Sequence, residues 1–129
     1  MGTEPFSWSV AGTLELGERV QAYSPADVQV GQAGFRPASV VLTNRRLLVV
    51  LPIPGSDPVV RAFDRRSCVP LQARERDDSS VLLALRAGGA LLGIQIRQWN
   101  REEADPMLMA LGVEVPSFEH PPAYVAGAM

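Results

Sequence analysis

The feature that most constrains this chain is a mirror pattern about Gly88-Gly89. Glycine accepts a positive φ without strain, so the pair suits a two-residue hairpin turn. Counting outward, Ala87 faces Ala90, Leu85 faces Leu92, Leu83 faces Ile94 and Val81 faces Ile96. Side chains alternate along a strand, so these apolar pairs share one face. Arg86, Ala84, Gln95 and Arg97 fall on the other, with Leu82 and Leu91. A slip of one residue would scramble that separation, which fixes the register.

The stretch VVLTNRRLLVV, Val40 to Val50, has the same form. Asn44 tolerates a left-handed backbone and suits a turn with Arg45. Leu42 then faces Leu47 and Val40 faces Val49, giving a core face. The opposite face carries Ser39, Thr43 and Arg46, but also Val41, Leu48 and Val50. A strand with one solvated face alternates more cleanly. The outer face therefore needs a cover: a partner, a second copy, or the chain's own ends at Phe6–Val10 or Val113–Phe118.

Val-, Leu- and Ile-rich segments recur between turn signals at the spacing of an all-β barrel or sandwich. Strands are expected at Arg19–Ser24, Ser39–Thr43, Arg46–Leu51, Val59–Phe63, Cys68–Arg74, Val81–Arg86 and Leu91–Gln98. Pro52, Pro54 and Pro58 predict a longer, stiff loop. A helix is expected over Asn100–Leu111, on the spacing of Ala104, Met107, Leu108 and Leu111. Asn100 with Glu103 suggests a capping box, or Asp105-Pro106 a second start; Gly112 is the stop.

At 129 residues and 47% hydrophobic, the chain can build a core without staples. The net charge of −2 gives the whole molecule no pull toward nucleic acid or anionic lipid. All 12 basic residues are Arg, spread along the chain as codon bias in a GC-rich genome would leave them, and not clustered for anion binding. One cysteine allows no disulfide framework, and the N-terminus has no basic flank before an apolar run. Gly2 is followed by residues that make a poor myristoylation site. The expected location is cytoplasmic, with no membrane-spanning run.

Seven short strands and a closing helix resemble a pleckstrin-homology-like domain, nearest the bacterial PH and GRAM-type branch. GERV at Gly17–Val20 resembles that family's first strand, VVLTNRRLLVV its second hairpin, and REEADPMLMALG its final helix. The resemblance runs from Leu16 to Gly112. It implies a mainly β fold: a PH-like barrel of seven antiparallel strands in two near-orthogonal sheets, with one C-terminal helix. Residues 1–15 are then an N-terminal extension, 16–112 the PH-like domain and 113–129 a Pro-containing tail. The resemblance also implies a binding or assembly module without catalysis. Lipid-binding members carry clustered Lys and Arg around the first hairpin, where this chain has only Arg19 and Arg36 beside Glu18 and Asp27.

Catalytic and metal-binding readings find little. The only His, His120, lies in the tail. Cys68 has no second Cys or His near it and reads as a small hydrophobe. No carboxylate, His or Cys cluster has ligand spacing, so neither metal nor cofactor is expected. Asp77-Asp78 reads as a solvated turn. Phe6, Trp8 and Trp99 could anchor a ligand or pack in the core or at an edge; packing is the expectation for Trp99, and Trp8 stays open between the two. Two binding readings result. One is a protein partner or homo-oligomer docking on the outer face of the 39–51 hairpin through Val41, Arg46, Leu48 and Val50. The other is peripheral binding of anionic lipid or a phosphorylated ligand by Arg36, Arg45, Arg65 and Arg66, with Arg46, if their loops meet in space.

Overall fold

A computed structural model describes residues 14–115. The strands are β1 (Val20–Val30), β2 (Arg36–Thr43), β3 (Arg46–Ile53), β4 (Ser56–Asp64), β5 (Cys68–Glu75), β6 (Val81–Ala87) and β7 (Ala90–Ile96). A helix, α1 (Arg101–Ala110), follows. All strands belong to one antiparallel sheet in the order β4-β3-β2-β1-β7-β6-β5. The single sheet is not closed by hydrogen bonds, so the expected division into two sheets is not a break in the ladder.

The sheet is nevertheless rolled, and chain length requires it. β4 and β5 are its opposite edges, yet one 3-10 turn, Arg65–Ser67, joins them. Seven flat strands would hold the edges about 29 Å apart. Four residue steps reach at most about 14 Å. Strand β1 carries the roll: its Ala22–Val28 stretch pairs with β2, while Asp27–Val30 pairs with β7. Inward side chains from both halves meet in one cluster, with Val40, Leu42, Leu47 and Val49 from one side and Leu83, Leu85, Leu92 and Ile94 from the other.

Both hairpin registers read from the sequence are present. Leu85 pairs with Leu92, Leu83 with Ile94, Val81 with Ile96, Val40 with Val49 and Leu42 with Leu47. Gly88 takes the positive φ that the turn requires.

Two expectations fail on prolines. β1 does not stop at Ser24 but runs through Pro25, which lies ahead of the point where β7 joins. There β1 has a strand neighbour on one side only, a position that tolerates a missing N–H. The stiff loop over Pro52–Pro58 is instead a tight hairpin. β3 runs to Ile53, Gly55 turns at positive φ, and β4 starts at Ser56. A register shift between Leu51 and Ile53 absorbs Pro52, and Pro58 sits in an edge strand.

Helix α1 buries Ala104, Met107 and Leu108 against the core, as its spacing predicted, and Leu111 packs beside them. The capping box is absent: the Asn100 side chain caps nothing. A 3-10 turn over Gln98–Asn100 runs directly into α1, so no extended cap residue precedes it. Pro106 lies inside the helix, removing one backbone hydrogen bond. Past Gly112, Val113 and Val115 pack against the main core. Phe6, Trp8, Phe118 and His120 lie outside the described residues. Among the described residues, no helix is long and apolar enough to cross a membrane.

Candidate functional site

Arg45 and Arg46 are adjacent but point to different tasks. Arg46 occupies a strand position and turns outward beside Thr43 and Glu18. Its Nε donates to Glu18 Oε2 at 3.0 Å and its Nη2 to Oε1 at 2.7 Å, a two-pronged pair. Thr43 Oγ1 donates to Glu18 Oε2 at 2.6 Å and accepts from the backbone N–H groups of Arg45 and Arg46. The Glu15 N–H also donates to Glu18. The Glu18 side chain is completely buried, and that of Arg46 is 20% exposed. The hydrogen bonds from Arg46, aided by Thr43 and the Glu15 N–H, outweigh desolvation and hold the Glu18 carboxyl at about 2. The same pairing raises Arg46.

Asn44 ties this turn to the chain entering β1. Its Oδ1 accepts from the Arg19 N–H at 2.7 Å, and its amide donates to the Gly17 carbonyl. Next to it the β4–β5 connector arrives. The Arg65 N–H donates to the Arg45 carbonyl at 2.9 Å, so the two Arg-Arg loops do meet. Asp64 caps the connector by accepting from the Arg66 N–H. That bond, with the nearby Arg66 guanidinium, lowers its carboxyl.

The Arg65 guanidinium is spent internally. It donates to the Thr43 carbonyl, to Gln21 Oε1 and to the Ala110 carbonyl at the C-terminal end of α1, where a cation is favoured. Arg45 and Arg66 are loosely held. Arg45 approaches Glu15 at 3.6 Å with half its side chain exposed; Arg66 approaches Asp64 at 3.6 Å and is 93% exposed.

These residues line a cleft of about 760 Å³ with Ala62 and Phe63 in its wall. Arg45, Arg46, Arg65 and Arg66 all border it; of the expected anion patch, only Arg36 is elsewhere. Arg36 opens β2, opposite Val28, about 23 Å along the strand from Thr43. Glu15 and Asp64 share the lining. With Glu18 beneath Arg46, four positive charges oppose three negative, leaving a net +1.

The apolar outer face of the 39–51 hairpin is filled. Val41 and Leu48 are fully buried and Val50 nearly so, in a second cluster with Leu14, Tyr23 and Val60. Sequence reasoning identified the patch from parity but missed these three, since none lies in the hairpin. It also missed Glu18 and Gln21, which reach the Arg loops only through long-range folding.

Other candidates have structural roles. Cys68 is half-buried, packs on the core, and burial pushes its thiol up, which disfavours the thiolate. Asp78 accepts from the Ser80 N–H and hydroxyl, lowering its carboxyl and holding a turn in which Ser79 takes positive φ. Trp99, expected to pack in the core or at an edge, is 73% exposed on a shallow cleft with Pro25, Pro37 and Arg97. Its place in the 3-10 turn after β7 frees it from the sheet.

The sequence matches no protein-family model and no curated protein.

Proposed function

We propose that this chain is a non-catalytic binding module of the PH/GRAM-like kind, taking an anionic group in the cleft between the β2–β3 turn and the β4–β5 connector. The seven antiparallel strands and closing helix support the PH-like reading. The observation that carries the binding reading is the Arg65 N–H to Arg45 carbonyl hydrogen bond, which brings two distant Arg pairs to one cleft.

Within that cleft Arg46 and Arg65 are fixed positive charges, while Arg45 and Arg66 are free to close on a ligand. Their pairs with Glu15 and Asp64 are long and exposed, and such pairs contribute little. A carboxylate or phosphate would displace them at small cost. The net charge of +1 favours one compact anionic group over a polyanionic surface.

The test is a calorimetric titration with inorganic pyrophosphate at low and high salt. Binding at low salt that weakens with salt, and falls in the Arg45→Ala and Arg66→Ala variants, supports the cleft. No binding at low salt ends the idea. Sedimentation with vesicles containing phosphatidylserine asks separately whether a membrane surface supplies the anion.

A second reading places a protein partner or a second copy on Val41, Leu48 and Val50. Their apolar character favours it. Their burial in this chain means that such a partner must first displace what lies over them.

A further inference from the structure

Three outward-facing side chains on an open sheet are buried, and that burial needs a cover. Val41 lies on β2, Leu48 and Val50 on β3, all on the face opposite the main core. The described residues packed against them are Leu14, Tyr23 and Val60. Tyr23 and Val60 are flanking members of the same sheet face, beside Val41 and Val50 respectively. They wall the patch at its sides. Leu14 alone comes from outside the sheet, and one leucine is too small to roof three side chains across two strands.

Leu14 is also the first described residue, so the preceding chain departs from this face. Its departure is held in place by the turn behind it. Glu18 N–H donates to the Glu15 carbonyl, and Glu15 N–H donates back to the Glu18 side chain, itself locked to Arg46. The opposite end leads away: Val113 and Val115 are committed to the main core.

The segment ahead of Leu14 reads Phe6-Ser7-Trp8-Ser9-Val10. Large apolar residues alternate with serines, the period that gives an extended chain one greasy and one polar side. Phe6 to Val10, extended, covers about 13 Å. The four strands β1–β4 are about 14 Å wide. Length, polarity and point of departure agree.

We propose that the N-terminal segment, through Phe6, Trp8 and Val10, is the occupant of the apolar outer face formed by Val41, Leu48 and Val50, closing that face against other chains. It does not depend on ligand binding in the anion cleft, with which it shares only the Glu15–Glu18–Arg46 anchor.

The test uses the full chain and its two tryptophans. In a Trp99→Phe variant Trp8 is the only reporter; in Trp8→Phe the exposed Trp99 is. Trp8 is expected to emit at shorter wavelength and to be quenched by acrylamide several-fold less than Trp99. Equal quenching overturns the proposal. Shielding of Trp8 that disappears on dilution also overturns it, since the occupant would then come from a second copy. In a second full-length variant, Phe6, Trp8 and Val10 are all replaced by Ser. It should bind a hydrophobic dye that the natural chain does not. A folded variant that leaves the dye unbound refutes the cover.

Discussion

Arg45 and Arg46 are the same residue twice, one peptide bond apart, and each approaches a glutamate. Arg46 meets Glu18 through two short hydrogen bonds against a buried carboxylate that Thr43 also holds. Arg45 meets Glu15 at 3.6 Å in water. The first contact fixes where the β2–β3 turn sits relative to the start of β1. The second leaves a guanidinium available. Burial and geometry separate a structural ion pair from a surface one, and residue type does not.

That contrast can be broken by removing the carboxylates in turn. Glu18→Ala is expected to cost about 2–3 kcal/mol in urea unfolding, less than breaking a wholly buried pair because Arg46 keeps some exposure. A loss below about 0.5 kcal/mol, typical of surface pairs, would place Glu18 with Glu15.

Acid makes the same point without mutation. The Glu18 carboxyl sits at about 2 when folded, against an ordinary 4.5. The unfolded chain therefore binds its proton first. The stabilisation is complete above about pH 4.5 and is lost as the pH falls through about 2, amounting to about 3 kcal/mol at most. Glu18→Gln should flatten that part of a pH–stability curve. A curve unchanged by the substitution would remove Glu18 as the acid-sensitive group.

A smaller effect sharpens the geometric half of the argument. Arg46→Lys keeps the charge but replaces the two-pronged contact with a point charge. The expected loss is about 1 kcal/mol, the scale of one hydrogen bond, measured by the same unfolding. At the bottom of the scale, Arg66→Ala should change stability by less than about 0.5 kcal/mol while weakening pyrophosphate binding several-fold. A large stability change there would mean that the rim is structural after all.

The sequence allowed much of this frame to be read, because hairpin register depends on neighbours. Ala87 through Val81 against Ala90 through Ile96 needs only a turn and a period of two. The prolines defeated the same logic: Pro25 and Pro58 are tolerated because of which neighbouring strands are present, a property of the assembled sheet. Asn100 and Glu103 have capping-box spacing, but the helix is entered from a 3-10 turn. For the site, parity placed Arg45 at a tip and Arg46 beside an apolar patch. It could not find Glu18, 28 residues upstream of Arg46, nor show that Arg65 would reach Thr43. Those contacts exist only once β1 and the β4–β5 connector have been brought to the same end of the roll.

The Arg65–Ser67 connector has one more consequence. It is the sole covalent link between a four-strand half and a three-strand half, which otherwise meet through the Asp27–Val30 ladder to β7, the Asp27–Arg97 ion pair, the packing of α1 on β1 and a common core. A protease nick after the protruding Arg66 would yield two complementary fragments, each exposing inward leucines and valines. Alone they would aggregate; mixed, they would have every reason to reassemble.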